Sequence, residues 1–492
     1  MPSLDVWLLF LMVALAASVG KRLTIWAGLA ACGFFLVLRV FRIGDTAVPL
    51  YLNRPFNLYI DSGYIFDLFD LLKTSARQGE FLILAVKGLV VTLGVTFTSW
   101  YAWRATAGVL TNRPLRNAFL GASVFIISAL WIWGWPGARP PAMLRFGQEI
   151  VAIPGQFRAT QAFGNRLEQA AKEREAGPAS LQGLEGANVL LFMVESYGRT
   201  VFSRPIYRPA MEKTMEHFAD LLDRHGFSAV SSFLVSPTYG GSSWLAHSTL
   251  ESGLRVANDL EDNLLLHSNL PPIATYFRRS GYRTVSVMPG TRFSFPEGDY
   301  FGYEQVYYAH HFNYDGPSFG WAPMPDQYVL DWVRHREFVN PRRPLFVRYV
   351  LISTHAAYNI QPAFIADWNR IGDGSIYNEH PPVYYPIYWP DLKNAGEAYL
   401  RSLDYEFRTL GDYLARYVEG NALIIIMGDH QPNLQLTGTG ESWSVPVHVI
   451  SRNPRFLTAF AKRGYAPGLI PTQSPPHAGM ETLLPGFLQD FR

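Results

Sequence analysis

Residues 188–196 read Asn188-Val189-Leu190-Leu191-Phe192-Met193-Val194-Glu195-Ser196, and residues 423–431 read Leu423-Ile424-Ile425-Ile426-Met427-Gly428-Asp429-His430-Gln431. Each begins as an apolar run and stops abruptly on ionisable side chains. A run without polar alternation suits a strand covered on both faces, as in a parallel sheet between helical layers. Four similar runs occupy residues 227–234, 284–288, 345–352 and 445–450. Amphipathic helical patterns fall among them, at 210–225, 273–280, 327–339, 395–418 and 479–489. Short strands separated by helices predict an α/β domain over residues 188–492, with a mostly parallel central sheet covered by helices. Ligands of such sheets bind beyond the carboxyl ends of the strands, so the residues at those ends come first.

Glu195 closes the first run, and Asp429 and His430 close the fifth. A carboxylate after a strand also serves to cap the next helix. Adjacent Asp and His offer one oxygen and one nitrogen ligand at nearly one point, a set that suits zinc, manganese or iron better than calcium. Between them lies Ser236-Pro-Thr-Tyr-Gly240-Gly241-Ser242-Ser243, followed by a helical pattern over 244–251. Glycine-rich backbone entering a helix N-terminus can cradle a phosphate. A hydroxyl there becomes a nucleophile beside a divalent cation, although a plain N-cap serine gives the same sequence.

Upstream, the composition changes. Four apolar segments, 4–19, 23–40, 81–102 and 118–135, have the length expected of membrane helices. They predict a transmembrane helical domain over 1–136. Lys21 and Arg22 lie in the first connection, and Arg104, Arg113 and Arg116 at the last. Placing these basic residues inside sends the chain after Trp135 outside. Residues 55–72, with aromatic side chains among Asp61, Asp67 and Asp70, read as an interfacial piece. A linker is expected over 137–187, with a solvated helix at 161–175.

The chain has 492 residues and a net charge of +2, with no basic run, so no nucleic-acid partner is expected. Cys32 is the single cysteine, which excludes intrachain disulfides and cysteine-rich zinc sites.

The ordered set Asn188-Val-Leu-Leu-Phe-Met-Val-Glu195-Ser196, Gly240-Gly-Ser-Ser-Trp-Leu-Ala-His-Ser-Thr-Leu-Glu-Ser-Gly253 and Gly428-Asp429-His430 resembles the alkaline-phosphatase/sulfatase superfamily. The resemblance is strongest to its membrane-anchored branch of lipoteichoic acid synthases and phosphoglycerol transferases. It implies one divalent cation, Mn2+ or Zn2+ with Mg2+ as an alternative, held by Glu195, Ser243, Asp429 and His430. It implies Ser243 as nucleophile, from its distance to Ser252-Gly253, with Ser242 as the alternative where relatives use threonine. Arg348-Tyr-Val-Leu-Ile-Ser-Thr-His355 resembles the family strand whose terminal histidine contacts the transferred group. The family's head-group tryptophan and arginine have no clear match, and Arg292 stands as a substitute. His247 and His477 read as structural, and the aromatic insert at 359–389 as a lid or binding loop.

The implied activity is transfer of a phosphoglycerol or phosphoethanolamine group. The donor is phosphatidylglycerol or phosphatidylethanolamine, the acceptor a glycan or lipid, and the route a covalent seryl intermediate. The implied location is the bacterial inner membrane, with the catalytic domain on the periplasmic or extracellular side. A sulfatase is disfavoured, because Ser243-Trp-Leu-Ala-His247 lacks the signature proline and arginine. Phosphodiester hydrolysis and a non-catalytic role in envelope glycan assembly are the remaining rivals.

Overall fold

The computed structural model describes residues 4–18, 25–63, 80–110, 112–133, 141–175, 180–292, 296–386, 394–472 and 477–492. Two compact units divide the chain. One comprises Met1–Pro49 and Arg54–Ala159, the other Leu50–Asn53 and Thr160–Arg492.

The second unit is built on a sheet whose strands are β1 (Asn188–Val194), β2 (Ser228–Val235), β3 (Arg283–Met288), β4 (Gln305–Tyr308), β5 (Leu345–Leu351), β8 (Ala422–Gly428), β9 (Ser444–Ser451) and β10 (Ala466–Pro467). A small antiparallel pair, β6 (Ile360–Gln361) and β7 (Val383–Tyr384), interrupts the aromatic insert; residues 387–389 of that insert lie outside the described residues. The eight-stranded sheet has the order β10-β2-β9-β8-β1-β5-β3-β4. Strands β8, β1, β5, β3 and β4 run parallel, while β9 opposes both β8 and β2. The expected mostly parallel sheet is present, with a mixed edge.

Alternation explains the burial. Leu190, Phe192 and Val194 of β1 enter one apolar cluster, with Met211, Phe218, Leu403 and Leu410. Val189, Leu191 and Met193 enter another on the opposite face, with Ile273, Phe277 and Leu484. Both faces are covered, which is why residues 189–194 of the run contain no polar residue.

In the first unit the four apolar segments fold as helices α1 (Leu4–Ser18), α2 (Ile25–Leu52), α3 (Glu80–Leu110) and α4 (Arg113–Trp133). The transmembrane expectation needs correction: among the described residues no helix is long and apolar enough to cross a membrane. Helix α1 has 15 residues, about 22 Å at 1.5 Å per residue against a core of about 30 Å. Helix α2 carries Arg42 and Asp45, paired at 3.1 Å, within its second half. The interfacial piece yields only the short helix Leu58–Asp61, where Asp61 accepts a 2.6 Å bond from Arg54; residues 64–72 lie outside the described residues.

The expected linker is instead dominated by one 34-residue helix, α5 (Ala142–Glu175). It starts well before residue 161, and the division between the compact units falls inside it.

Candidate metal centre

Register brings the site together. Strand β1 lies between β8 and β5, with Val194 opposite Gly428 on one side and Leu351 on the other. Whatever follows these three strands therefore emerges at one place: Glu195 in the middle, Asp429 and His430 beside it, and residues 352–355 on the other flank. Gly428 permits the approach, since a Cβ there would collide with the Tyr197 carbonyl oxygen.

Glu195, Asp429 and His430 each offer a ligand atom, all within 4.8 Å of one another. His430 Nε2 lies 3.3 Å from Glu195 Oε1 and 3.7 Å from Asp429 Oδ2. All three are buried. Peptide N–H groups of Ser196 and His430 donate to Asp429 Oδ1 at 2.8 and 2.6 Å. The ring of His430 is oriented by its Nδ1, 2.7 Å from the Gln431 carbonyl oxygen. A carbonyl only accepts, so Nδ1 carries the proton and Nε2 presents its lone pair to two carboxylates.

His430 Nε2 is buried without a hydrogen-bond partner. A lone pair facing carboxylate oxygens is satisfied by a proton or a cation, and one imidazole with two carboxylates is a donor set for a transition metal or zinc. These residues fit a divalent cation. The electrostatics agree. Burial opposes ionisation of Glu195, but His430 and then His355 hold its carboxyl below the usual range. Burial and then Glu195 push Asp429 well up. Burial works against protonating His430, yet Asp429 and Glu195 bring it to about 9. Without a cation, the cluster retains a proton in its place.

The serine arrives from the next element. Helix α6 (Arg208–Arg224) leads back into β2, and the loop after β2 enters helix α7 (Ser243–Ser252). Ser243 is its first residue, and its Oγ donates to Glu195 Oε2 at 3.3 Å. Ser242 precedes it with a left-handed backbone, φ +58°, and Ser196 beside Glu195 has φ +57°. Left-handed non-glycine residues cost free energy and persist where the surroundings over-determine them.

Together these groups line a cavity of about 320 Å³ that includes Glu195, Ser242, Ser243, His355 and His430. His355 stacks on Trp321 with ring centroids 4.0 Å apart and planes 12° from parallel. Its Nδ1 lies 2.6 Å from the Ala356 carbonyl oxygen and therefore carries a proton, which leaves Nε2 as the ring's acceptor. Arg292 is exposed, and its neighbour Thr291 lines the cavity. His477 is held by Ser444 Oγ at 2.7 Å.

Sequence reasoning missed Trp321, Tyr358 and Asn433 of the cavity wall. They lie in irregular stretches, where no periodicity marks a side chain as facing a site. Asn433, three residues beyond His430, was the one that proximity offered.

No protein-family model matches the chain, and no curated protein matches it by sequence. Its structural matches include members of the alkaline phosphatase/sulfatase superfamily. The lipoteichoic acid synthase LtaP from Listeria monocytogenes is 14% identical over 54% of this chain and 65% of that one, with TM-score 0.39. The match thus spans less than two thirds of that protein. The Streptococcus pyogenes phosphoglycerol transferase GacH, in complex with sn-glycerol-1-phosphate, is 11% identical over 68% of this chain and 91% of that one, with TM-score 0.39. The C-terminal periplasmic domain of EcEptC from Escherichia coli, in complex with zinc, is 12% identical over 54% of this chain and 72% of that one, with TM-score 0.37.

Proposed function

We propose that this chain is a membrane-associated, metal-dependent phosphotransferase. It moves a phosphoglycerol or phosphoethanolamine group from phosphatidylglycerol or phosphatidylethanolamine to a glycan or lipid acceptor. The observation that carries the reading is Ser243 Oγ at 3.3 Å from Glu195, whose other oxygen is 3.3 Å from the partnerless His430 Nε2. The Ser243 hydroxyl, the Glu195 carboxylate and the His430 imidazole meet in one cavity, with a carboxylate oxygen of Asp429 within 4.8 Å of the ligand atoms of Glu195 and His430. A non-catalytic scaffold has no use for that convergence.

A cation bound by Glu195, Asp429 and His430, with Ser243 within its reach, supplies Lewis-acid stabilisation of negative charge on the nucleophile and the phosphate. Mn2+ and Zn2+ suit the donor set, with Mg2+ the harder alternative. In the first step the Ser243 oxygen attacks phosphorus and the bond to the diacylglycerol oxygen breaks. The serine proton is released to solvent water, and His355 Nε2, when protonated, gives one to the departing alcohol. In the second step an acceptor hydroxyl displaces Ser243, and the same groups run in reverse. The first peptide N–H groups of α7 are available to the phosphoryl oxygens, and Arg292 is the residue we assign to the head group.

Membrane association is supported by the first unit. On α3, Val86, Leu89, Val90, Val91, Leu93 and Phe97 are each 50–69% exposed. A helix apolar around its circumference needs a cover, and a bilayer that also holds the donor supplies one. The location that fits is the bacterial inner membrane, with the site on its periplasmic or extracellular side.

The test uses the purified full chain with labelled phosphatidylglycerol and Mn2+. Diacylglycerol is released, and Ser243→Ala lowers the rate by at least about 10³-fold, the scale of losing a nucleophile. Mass spectrometry of a quenched reaction finds the transferred group on the peptide carrying Ser243. Full activity in Ser243→Ala with none in Ser242→Ala moves the nucleophile by one residue. Full activity in both removes the covalent route.

A further inference from the structure

Strand β5 contains a charge that its packing does not require. Arg348 sits in the middle of Leu345-Phe-Val-Arg-Tyr-Val-Leu351 with no exposed side-chain surface. Burying a guanidinium in a sheet is costly unless it is paired and fully bonded. Glu251, also fully buried, accepts from Arg348 Nη1 at 2.8 Å, and Tyr303 O–H donates to the same carboxylate at 2.7 Å. The other arm of Arg348, Nη2, reaches His247 Nδ1 at 2.7 Å.

That last bond fixes the state of His247. Arginine has donors and no acceptor, so Nδ1 accepts and the ring proton resides on Nε2. His247 is only 4% exposed and lines the same cavity as Ser243, Glu195, His355 and His430. It lies four residues after Ser243 on α7, hence on the same helix face, and its side chain leans toward the helix N-terminus. Burial and then Arg348 hold its titration well below the usual range, in line with the neutral ring that the bond from Arg348 requires.

We propose that His247 is a further binding residue for the transferred group, donating from neutral Nε2–H to a non-bridging phosphoryl oxygen. Glu251, Arg348 and Tyr303 are its positioning residues. Two of the three cavity histidines thereby divide the work: His355 presents Nε2 as the group that moves a proton, whereas His247 presents a fixed donor that binds charge. This assignment deepens the phosphotransferase reading and rests on it.

The experiment measures binding of inorganic phosphate to the Mn2+-loaded full chain by calorimetry, with Mn2+ affinity determined separately for each protein. His247→Ala is expected to weaken phosphate binding about 10-fold to 100-fold, the scale of a hydrogen bond to a charged group. His247→Gln, whose side-chain N–H can replace Nε2–H, recovers most of the loss, and Mn2+ affinity is unchanged in both. The ratio of wild-type to His247→Ala affinity stays flat from pH 6 to 9. Equal phosphate affinity in wild type and His247→Ala overturns this inference and leaves the proposed function standing. Equal losses in the Ala and Gln variants, accompanied by a matching fall in Tm, assign His247 a structural role and also overturn it. Failure of the loaded wild type to bind phosphate overturns the proposed function and the inference with it.

Discussion

His448 shows how a single buried side chain sets a pH dependence far from the catalytic chemistry. Ser231 Oγ spends its proton on the Gly468 carbonyl at 2.7 Å, so it accepts from His448 Nδ1 at 2.8 Å. Nε2 is then the acceptor for Tyr197 O–H at 2.9 Å. The neutral ring is fully bonded, and burial lowers its pKa from 6.5 to about 3. Below pH 6.5 the unfolded chain takes up a proton that the folded chain refuses, so this contribution to stability is complete above pH 6.5. It is lost as pH falls toward 3, on the order of a few kcal/mol. Urea unfolding of His448→Asn is expected to show lower stability at pH 7.5 and a shallower decline from pH 6.5 to 4.5 than wild type. Parallel declines would remove His448 as the cause. At the metal centre, Asp429→Asn removes a charge and a ligand oxygen. Mn2+ and Zn2+ affinity should fall by more than the roughly 10–100-fold typical of losing an outer-shell partner, as measured by competition with a chelating dye. The residues at the ends of β1 and β8 were legible in the sequence because these two apolar runs carry no charge before their ends. His247 was not, because its role depends on Arg348, about a hundred residues away, which reads as one odd charge in a strand.

At the scale of elements, legibility followed burial. β1 and β8 stand out because packing on both faces removes every polar residue from 189–194 and 422–428. β4, with four residues, and β10, with two, are the two edge strands, too short for a pattern to rise above chance. Helix α5 extends from the expected 161–175 back to Ala142 and runs through Pro154; an internal proline costs about 3 kcal/mol by propensity, yet the helix accommodates it. The pairing of β1 with β8 supplies the sharpest test at this level. Gly428→Ala adds a methyl group against the Tyr197 carbonyl oxygen, and backbone has little room to yield. The ends of the two strands must separate, which moves Glu195 relative to Asp429 and His430. The expected result is a loss of about 1–3 kcal/mol in stability, the usual scale of overpacking, together with weaker Mn2+ binding. A stability loss with unchanged metal affinity would show that the strand ends are not held in place by this contact.

For the whole molecule, the question is what covers the apolar surface of the first unit. The first unit holds 14 Lys and Arg against 7 Asp and Glu, so charge attracts it to anionic lipid, an attraction that falls within a Debye length of about 8 Å at physiological salt. Exposed apolar side chains such as Phe97 at 69% and Phe125 at 71% contribute differently, through area removed from water. The two forces separate by salt. Full-length protein mixed with phosphatidylglycerol vesicles is expected to float with them in a density gradient, and to remain bound at about 1 M salt, where the Debye length is about 3 Å. Binding that salt abolishes would assign the interaction to charge and leave the apolar helices to some other cover. Retention also has a kinetic consequence. A site confined to the surface that contains its donor meets that donor at a raised effective concentration without any additional contact. Donor turnover in vesicles should therefore exceed turnover of the same lipid dispersed in excess detergent micelles, where most donor molecules share no micelle with the protein.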